Sequence, residues 1–157
     1  MKLKKLDLKY LLIILVVNLQ IVLGQKESSQ KIRYFTKKGI YSLTIEILDL
    51  ESNEGNIMLG LFDENKNQIV GVKKISISKK KSFVKIDSIA SGNYVVKFWH
   101  DTNNNEKLDI NFLGIPKEEF GNSNNVKPKF GPPKFEDMIF KIEDNFYLKM
   151  IAQSLNL

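Results

Sequence analysis

Alternation of apolar and polar residues from Tyr41 to Ile47, within Tyr41–Leu50 (YSLTIEILDL), constrains this chain more than any other feature. Tyr41, Leu43, Ile45 and Ile47 fall on one face, and Ser42, Thr44 and Glu46 on the other. That is the period of a half-buried strand. No later segment keeps an apolar period of about 3.6 residues over three turns. Short strand-like runs recur instead, separated by turn residues. Asn56–Asp63 (NIMLGLFD) is apolar on both faces and is expected at the centre of a sheet, with Gly60 marking a bulge or a close backbone approach. Lys73–Ser78 and Ser82–Ile86 flank Lys79-Lys80-Lys81 like the arms of a hairpin, with Gln68–Val72 a short apolar piece before them. Val95–Trp99 (VVKFW) follows. Met138–Ile142 and Phe146–Ile151 read as a closing hairpin around Glu143-Asp144-Asn145.

About seven short strands with no helix predict an all-β fold, a sandwich or barrel. Ile89-x-x-Gly92-x-Tyr94 resembles the strand entry of immunoglobulin-like and transthyretin-like sandwiches, where a tyrosine ties its hydroxyl back to the preceding turn. An ordinary glycine-containing turn fits the same residues. The chain of 157 residues has room for a single such domain, assigned to residues 40–157. It contains no cysteine, so no disulfide can supplement the core and no lipid can be attached through a thiol.

The first residues have a different character. Lys2, Lys4, Lys5 and Lys9 precede an apolar run at Tyr10–Val17, and Val22-Leu23-Gly24 suits a cleavage site, so residues 1–24 read as a secretory signal peptide. Asn18 interrupts the apolar run far short of the roughly 20 residues that a spanning helix needs, which weighs against an uncleaved anchor. Residues 25–39 are polar and unpatterned, a tether. The expected product is periplasmic or secreted, with no membrane span after cleavage. Residues 1–24 carry four lysines and one aspartate, so their removal lowers the net charge from +6 to +3. Without a clustered basic face, that balance gives no case for nucleic acid.

The stretch Trp99–Phe135 holds the only histidine, the only tryptophan and all four prolines. Loops beyond about 12–15 residues are uncommon in compact domains unless they are functional or disordered, and disordered segments are poor in aromatics. Within it, Asp101, Asn103, Asn105 and Asp109 place side-chain oxygens at alternate positions, with the Lys107 carbonyl between them. This is the front of a calcium loop. Glu106 stands where the sharp turn normally has glycine, and Phe112 where the bidentate glutamate belongs. Any calcium affinity is then expected to be weak, about 10⁻⁴–10⁻³ M. Successive Asx-turns, in which Asp and Asn bond their own backbone, explain the same residues without an ion. In the second half, Trp99, Phe112, Phe120, Phe130 and Phe135 can line an aromatic groove with His100 and Asn124 beside it, suited to a sugar or an extended peptide. The same rings can instead form a satellite core that anchors the loop.

Catalytic sets are sparse. One histidine and no cysteine exclude thiol catalysis and zinc sites of the Cys₄ or His₃ type. A hydrolase or metal-assisted enzyme would have to combine His100 with Asp101, Asp109 or Glu118. The acidic pairs Glu118-Glu119 and Glu136-Asp137 are read as surface residues that aid solubility.

Taken together, Trp99-His100-Asp101-x-Asn103-x-Asn105-x-x-Leu108-Asp109, Gly114-Ile115-Pro116-x-Glu118, Gly121-x-Ser123-Asn124-Asn125 and Phe130-Gly131-Pro132-Pro133-x-Phe135 resemble domain-of-unknown-function family 2141 (DUF2141), a family of exported bacterial proteins. The resemblance runs from about Tyr41 to the C-terminus. The family has glycine where this chain has Asn104 and Glu106, which makes this copy a poorer ion loop. The resemblance implies an exported sandwich of the immunoglobulin or transthyretin kind, and it brings no catalytic residues. The expected role is non-enzymatic: binding of an envelope or extracellular ligand through the long loop, or a structural part whose exposed strand edges pair with partners.

Overall fold

A computed structural model describes residues 39–129 and 131–155. The expected signal peptide 1–24, the tether 25–39 apart from its last residue, and Phe130 lie outside them. Among the described residues there are nine strands: β1 (Ile40–Leu48), β2 (Asn56–Asp63), β3 (Gln68–Ile75), β4 (Ile77–Ser78), β5 (Lys81–Ala90), β6 (Gly92–Asp101), β7 (Phe120–Asn122), β8 (Phe140–Ile142) and β9 (Phe146–Ile151). One 3₁₀ turn, Glu136–Met138, precedes β8. The fold is all-β, with two open sheets. One has the order β4-β5-β1-β9; the other has β3-β2-β6-β7, with β8 also paired to β6.

Nine strands replace the expected seven for two reasons. Ser76 ends the run that starts at Gln68, so the apolar piece and the first half of Lys73–Ser78 make β3, and Ile77–Ser78 becomes a separate strand. The long loop also contributes a strand of its own, β7, paired with β6. The triple lysine behaves as expected. Lys79 and Lys80 adopt the left-handed conformation at φ 53° and 58°, the geometry of a tight two-residue hairpin turn, and both are exposed.

The expected closing hairpin does not form. β8 pairs antiparallel with β6 in one sheet, whereas β9 runs parallel to β1 in the other. The physical reason is that each segment buries alternate residues, Phe140 and Ile142 or Leu148 and Met150, and each finds its own sheet edge. Glu143–Asn145, three residues at about 3.3 Å each, is long enough to cross the roughly 10 Å between packed sheets. Asn145 fixes the arrival: its Oδ1 accepts from the Ser42 backbone N–H at 3.0 Å.

The alternation read from the sequence is what builds the core. Leu43, Ile45 and Ile47 of β1 are fully buried and share one apolar cluster with Ile57, Leu59 and Leu61 of β2 and with Val96 and Phe98 of β6. β2 is flanked by β3 and β6, the interior position in its sheet that was expected of it. At Gly60 the β2–β3 register shifts, as expected of a bulge; what comes close to its missing Cβ is the Phe62 ring at 3.0 Å rather than a neighbouring backbone. Among the described residues, no helix is long and apolar enough to cross a membrane.

Tyr94 closes the turn into β6, its hydroxyl donating to the Ala90 carbonyl at 2.7 Å. Burial, with the Asp63 charge adding to it, raises the phenol's pKa above its ordinary value of 10.0. The folded state therefore holds this proton more tightly than the unfolded chain does. The stabilisation is complete below about pH 10 and is lost as the pH rises above that. Chemical denaturation against pH should show stability falling on the alkaline side. Tyr94→Phe should lower stability at neutral pH by about 1 kcal/mol and make the alkaline fall shallower.

Candidate functional site

β6 carries the chain from the core out to the long loop, and its alternation decides what each side chain meets. Tyr94, Val96 and Phe98 join the core cluster, and His100 is fully buried on the same face, two residues further on. The His100 Nδ1 lies 2.8 Å from Glu119 Oε2, and its Nε2 lies 2.7 Å from the Glu54 carbonyl oxygen. A carbonyl only accepts, so Nε2 donates to it; one further proton, on Nδ1 or on the carboxyl, bridges the ring to Glu119. Glu119 is buried as well, and its Oε2 also accepts the Glu51 backbone N–H at 3.0 Å. The His100 N–H in turn donates to the Glu119 carbonyl at 2.8 Å. This one pair therefore joins β6, the start of β7 and the β1–β2 connection.

Its neighbour Glu118 fastens the first half of the loop. Oε1 accepts the Thr102 backbone N–H and Oε2 that of Asp109, both at 3.1 Å. The reading of Glu118-Glu119 as a solvated pair is corrected: each is 7 % exposed, and their carboxylates accept the backbone N–H groups of Glu51, Thr102 and Asp109. Glu136 and Asp137 are exposed, as expected.

The calcium-type turn is closed by its own hydrogen bonds. The buried Asp101 carboxylate accepts the N–H groups of Asn105 at 3.0 Å and Glu106 at 2.9 Å. Asn103 Oδ1 accepts from Asn105, and Asn105 Oδ1 accepts from Lys107, both in Asx-turn geometry. The amides of Asn103 and Asn105 then donate to the two Asp109 oxygens at 2.7 and 3.1 Å. Asn104 and Glu106 are left-handed at φ 59° and 61°, a conformation in which glycine is unstrained.

Gly121–Asn125 fastens the other half. The Ser123 hydroxyl donates to the Met138 carbonyl. Asn124 Nδ2 donates to the carbonyls of Asp137 at 2.8 Å and Ile139 at 2.9 Å. Asn125 bonds the backbone of Lys149 and Ile151 in β9. The Asn-rich run is therefore a set of side-chain braces onto neighbouring backbone.

Between this fastened loop and the strands beneath it lies a cleft of about 800 Å³, within the range of about 300–1,000 Å³ usual for small-molecule sites. Gly60 and Phe62 of β2, Trp99 of β6 and Phe120 of β7 line it, with Ile115 and Pro133 contributed by the loop. Asn111 to Ile115 forms a tight turn, with the Gly114 N–H donating to the Asn111 carbonyl at 2.9 Å. That turn lifts Phe112 into solvent, 94 % exposed. The Lys97 ammonium stands over the rings of Phe62 and Phe135 at 5.8 and 5.3 Å. Loss of hydration among these rings lowers its pKa, and the Lys66 charge adds to the effect.

Of the expected groove residues, Trp99 and Phe120 line the cleft. His100 lies on the core side of β6, Asn124 is committed to bracing, Phe112 projects from the turn, and Phe130 is outside the described residues. His100 bonds none of Asp101, Asp109 and Glu118; its carboxylate partner is Glu119. With both nitrogens engaged and no exposed surface, this ring has no atom to offer a substrate in this arrangement. Among the described residues, no cluster of three or more His, Cys, Asp or Glu side chains is placed to hold a metal ion.

The molecule is thus an all-β protein of two sheets with an apolar cleft roofed by a braced loop. It belongs to the bacterial family DUF2141, described as an uncharacterized protein conserved in bacteria, whose model matches residues 45–147 and so spans β1 to the first residues of β9. No curated protein and no solved structure matches the chain significantly.

Removing one partner of a buried, hydrogen-bonded pair leaves the other uncompensated, at about 3–5 kcal/mol. Glu119→Ala should therefore lower unfolding stability by that amount in urea denaturation. Glu136→Ala, an exposed control, should change it by less than about 0.5 kcal/mol.

Proposed function

We propose that this protein is an exported module of the immunoglobulin-like or transthyretin-like sandwich kind that binds a small ligand without transforming it, in the cleft beneath residues 99–135. The observation that carries this reading is the cleft itself. It is apolar, about 800 Å³ in volume, and roofed by a segment fastened at both halves by buried carboxylates and asparagine braces. Export rests on the character of residues 1–24. The Asp101–Asp109 turn has a structural part in this reading. Its internal hydrogen bonds do the work that a weakly bound calcium ion would otherwise do. The competing reading, hydrolysis through His100, would require the ring to leave both of its partners and reach solvent.

The single tryptophan lies in the lining, so its emission reports on the cleft alone. The neutral apolar dye N-phenyl-1-naphthylamine should bind saturably and quench Trp99 by energy transfer. The double variant Ile110→Asp/Leu113→Asp changes lining residues that are 56 % and 65 % exposed. It should keep the melting temperature and lose the dye. Absence of saturable quenching, or quenching that survives this variant, would remove the cleft from the account.

A further inference from the structure

The polar groups left unmatched in the cleft say what kind of ligand it takes. Its lining contains two lysines, Lys97 and Lys129, and no Asp or Glu. Neither lysine has an ion-pair partner among the described residues, whereas the nearby Lys66 is paired with Glu136 at 3.6 Å. Lys97 is the more informative of the two. It stands among aromatic rings, its hydration is reduced, and a neighbouring ammonium adds repulsion, all without an anion to offset the cost. A second group is also unmatched: the Trp99 indole N–H is buried with no hydrogen-bond partner among the described residues.

Apart from Asn122, whose side-chain amide is bonded to the Val126 backbone, the rest of the lining is largely apolar. Val72, Leu108, Ile110 and Leu113 line the cleft while staying 38–65 % exposed, so an apolar body entering there covers side chains that nothing in the fold covers. We propose that the cleft takes an apolar chain ending in an acidic group, a long-chain carboxylate, with the Lys97 ammonium anchoring its head. A single lysine is a point charge suited to a monoanion, and no arginine fork of the kind that favours a phosphate dianion lines the cleft. This inference rests on the binding reading given above and adds the ligand's chemistry to it.

Trp99 fluorescence titration of the purified protein with dodecanoate, dodecanol and dodecyltrimethylammonium, each below its micelle concentration, separates the two. Dodecanoate should bind about tenfold more tightly than either of the others, the equivalent of about 1.4 kcal/mol. Raised salt should narrow the difference. Lys97→Met and Lys97→Gln, which keep the stem's length at an exposed position, should bring dodecanoate to the level of dodecanol and leave dodecanol unchanged. Equal binding of dodecanoate and dodecanol, or a preference that survives both variants, overturns the acidic head while leaving the cleft as a binding site. No binding by any of the three overturns both. Sedimentation with phosphatidylglycerol vesicles, without any response to monomeric dodecanoate, would mark a membrane-docking surface and contradict the inference.

Discussion

The buried contact between His100 and Glu119 is the constraint on which the rest of the long loop depends. A fully buried imidazole needs acceptors for its N–H groups, and a buried carboxylate needs donors. Here each supplies the other, and backbone supplies the rest: the Glu54 carbonyl for the ring and the Glu51 N–H for the carboxylate. Three segments distant in sequence are held to one point. Pairs of this kind contribute little net stability relative to an apolar replacement, because desolvation offsets most of the attraction, but they penalise every arrangement that separates the partners. What the pair supplies is register: it fixes where the chain returns to β6 after its excursion.

Once the return is fixed, the excursion can be shaped. Glu118 sits beside Glu119 and reaches the opposite way, taking the N–H groups of Thr102 and Asp109 and so clamping both ends of the Asx-turn run. β7 follows directly and pairs Phe120 with Trp99, which sets two aromatic rings into the wall of the cleft. Ser123, Asn124 and Asn125 then tie the chain to the 3₁₀ turn and to β9. The roof is thus held by polar contacts at its margins, and the space beneath it is lined mainly by apolar side chains.

Features governed by local periodicity were legible in the sequence. The faces of β1 and β2, the lysine turn and the Tyr94 tie all follow from spacing within a few residues. The Asx-turn alternative for Asp101–Asp109 was legible for the same reason, since its bonds span two to six residues. What escaped depended on distance. Glu119 meets a histidine 19 residues away and a backbone N–H 68 residues away, so two adjacent glutamates in a polar stretch looked like solvated charges. The signal that could have found it is that a lone histidine, once buried, needs a buried partner, whereas the sequence reading paired His100 only with Asp101, Asp109 or Glu118. The supposed closing hairpin failed on a similar point, because turn chemistry at Glu143–Asn145 does not say whether the next strand folds back or crosses to the other sheet. For the aromatic groove, spacing identified the aromatic residues but could not say that Phe112 would be lifted away from the cleft while Trp99 and Phe120 lined it.

The central claim is that residues 99–125 form a fixed roof held by their own side chains. Native-state amide hydrogen exchange in calcium-free buffer with chelator tests it most directly. The N–H groups of Glu51, Thr102, Asn105, Glu106 and Asp109, each given a carboxylate acceptor by the fold, should exchange slowly and together, with protection approaching that of the β-strand core. Exchange of these five amides at unprotected rates, or protection that arises only when calcium is added, would contradict it.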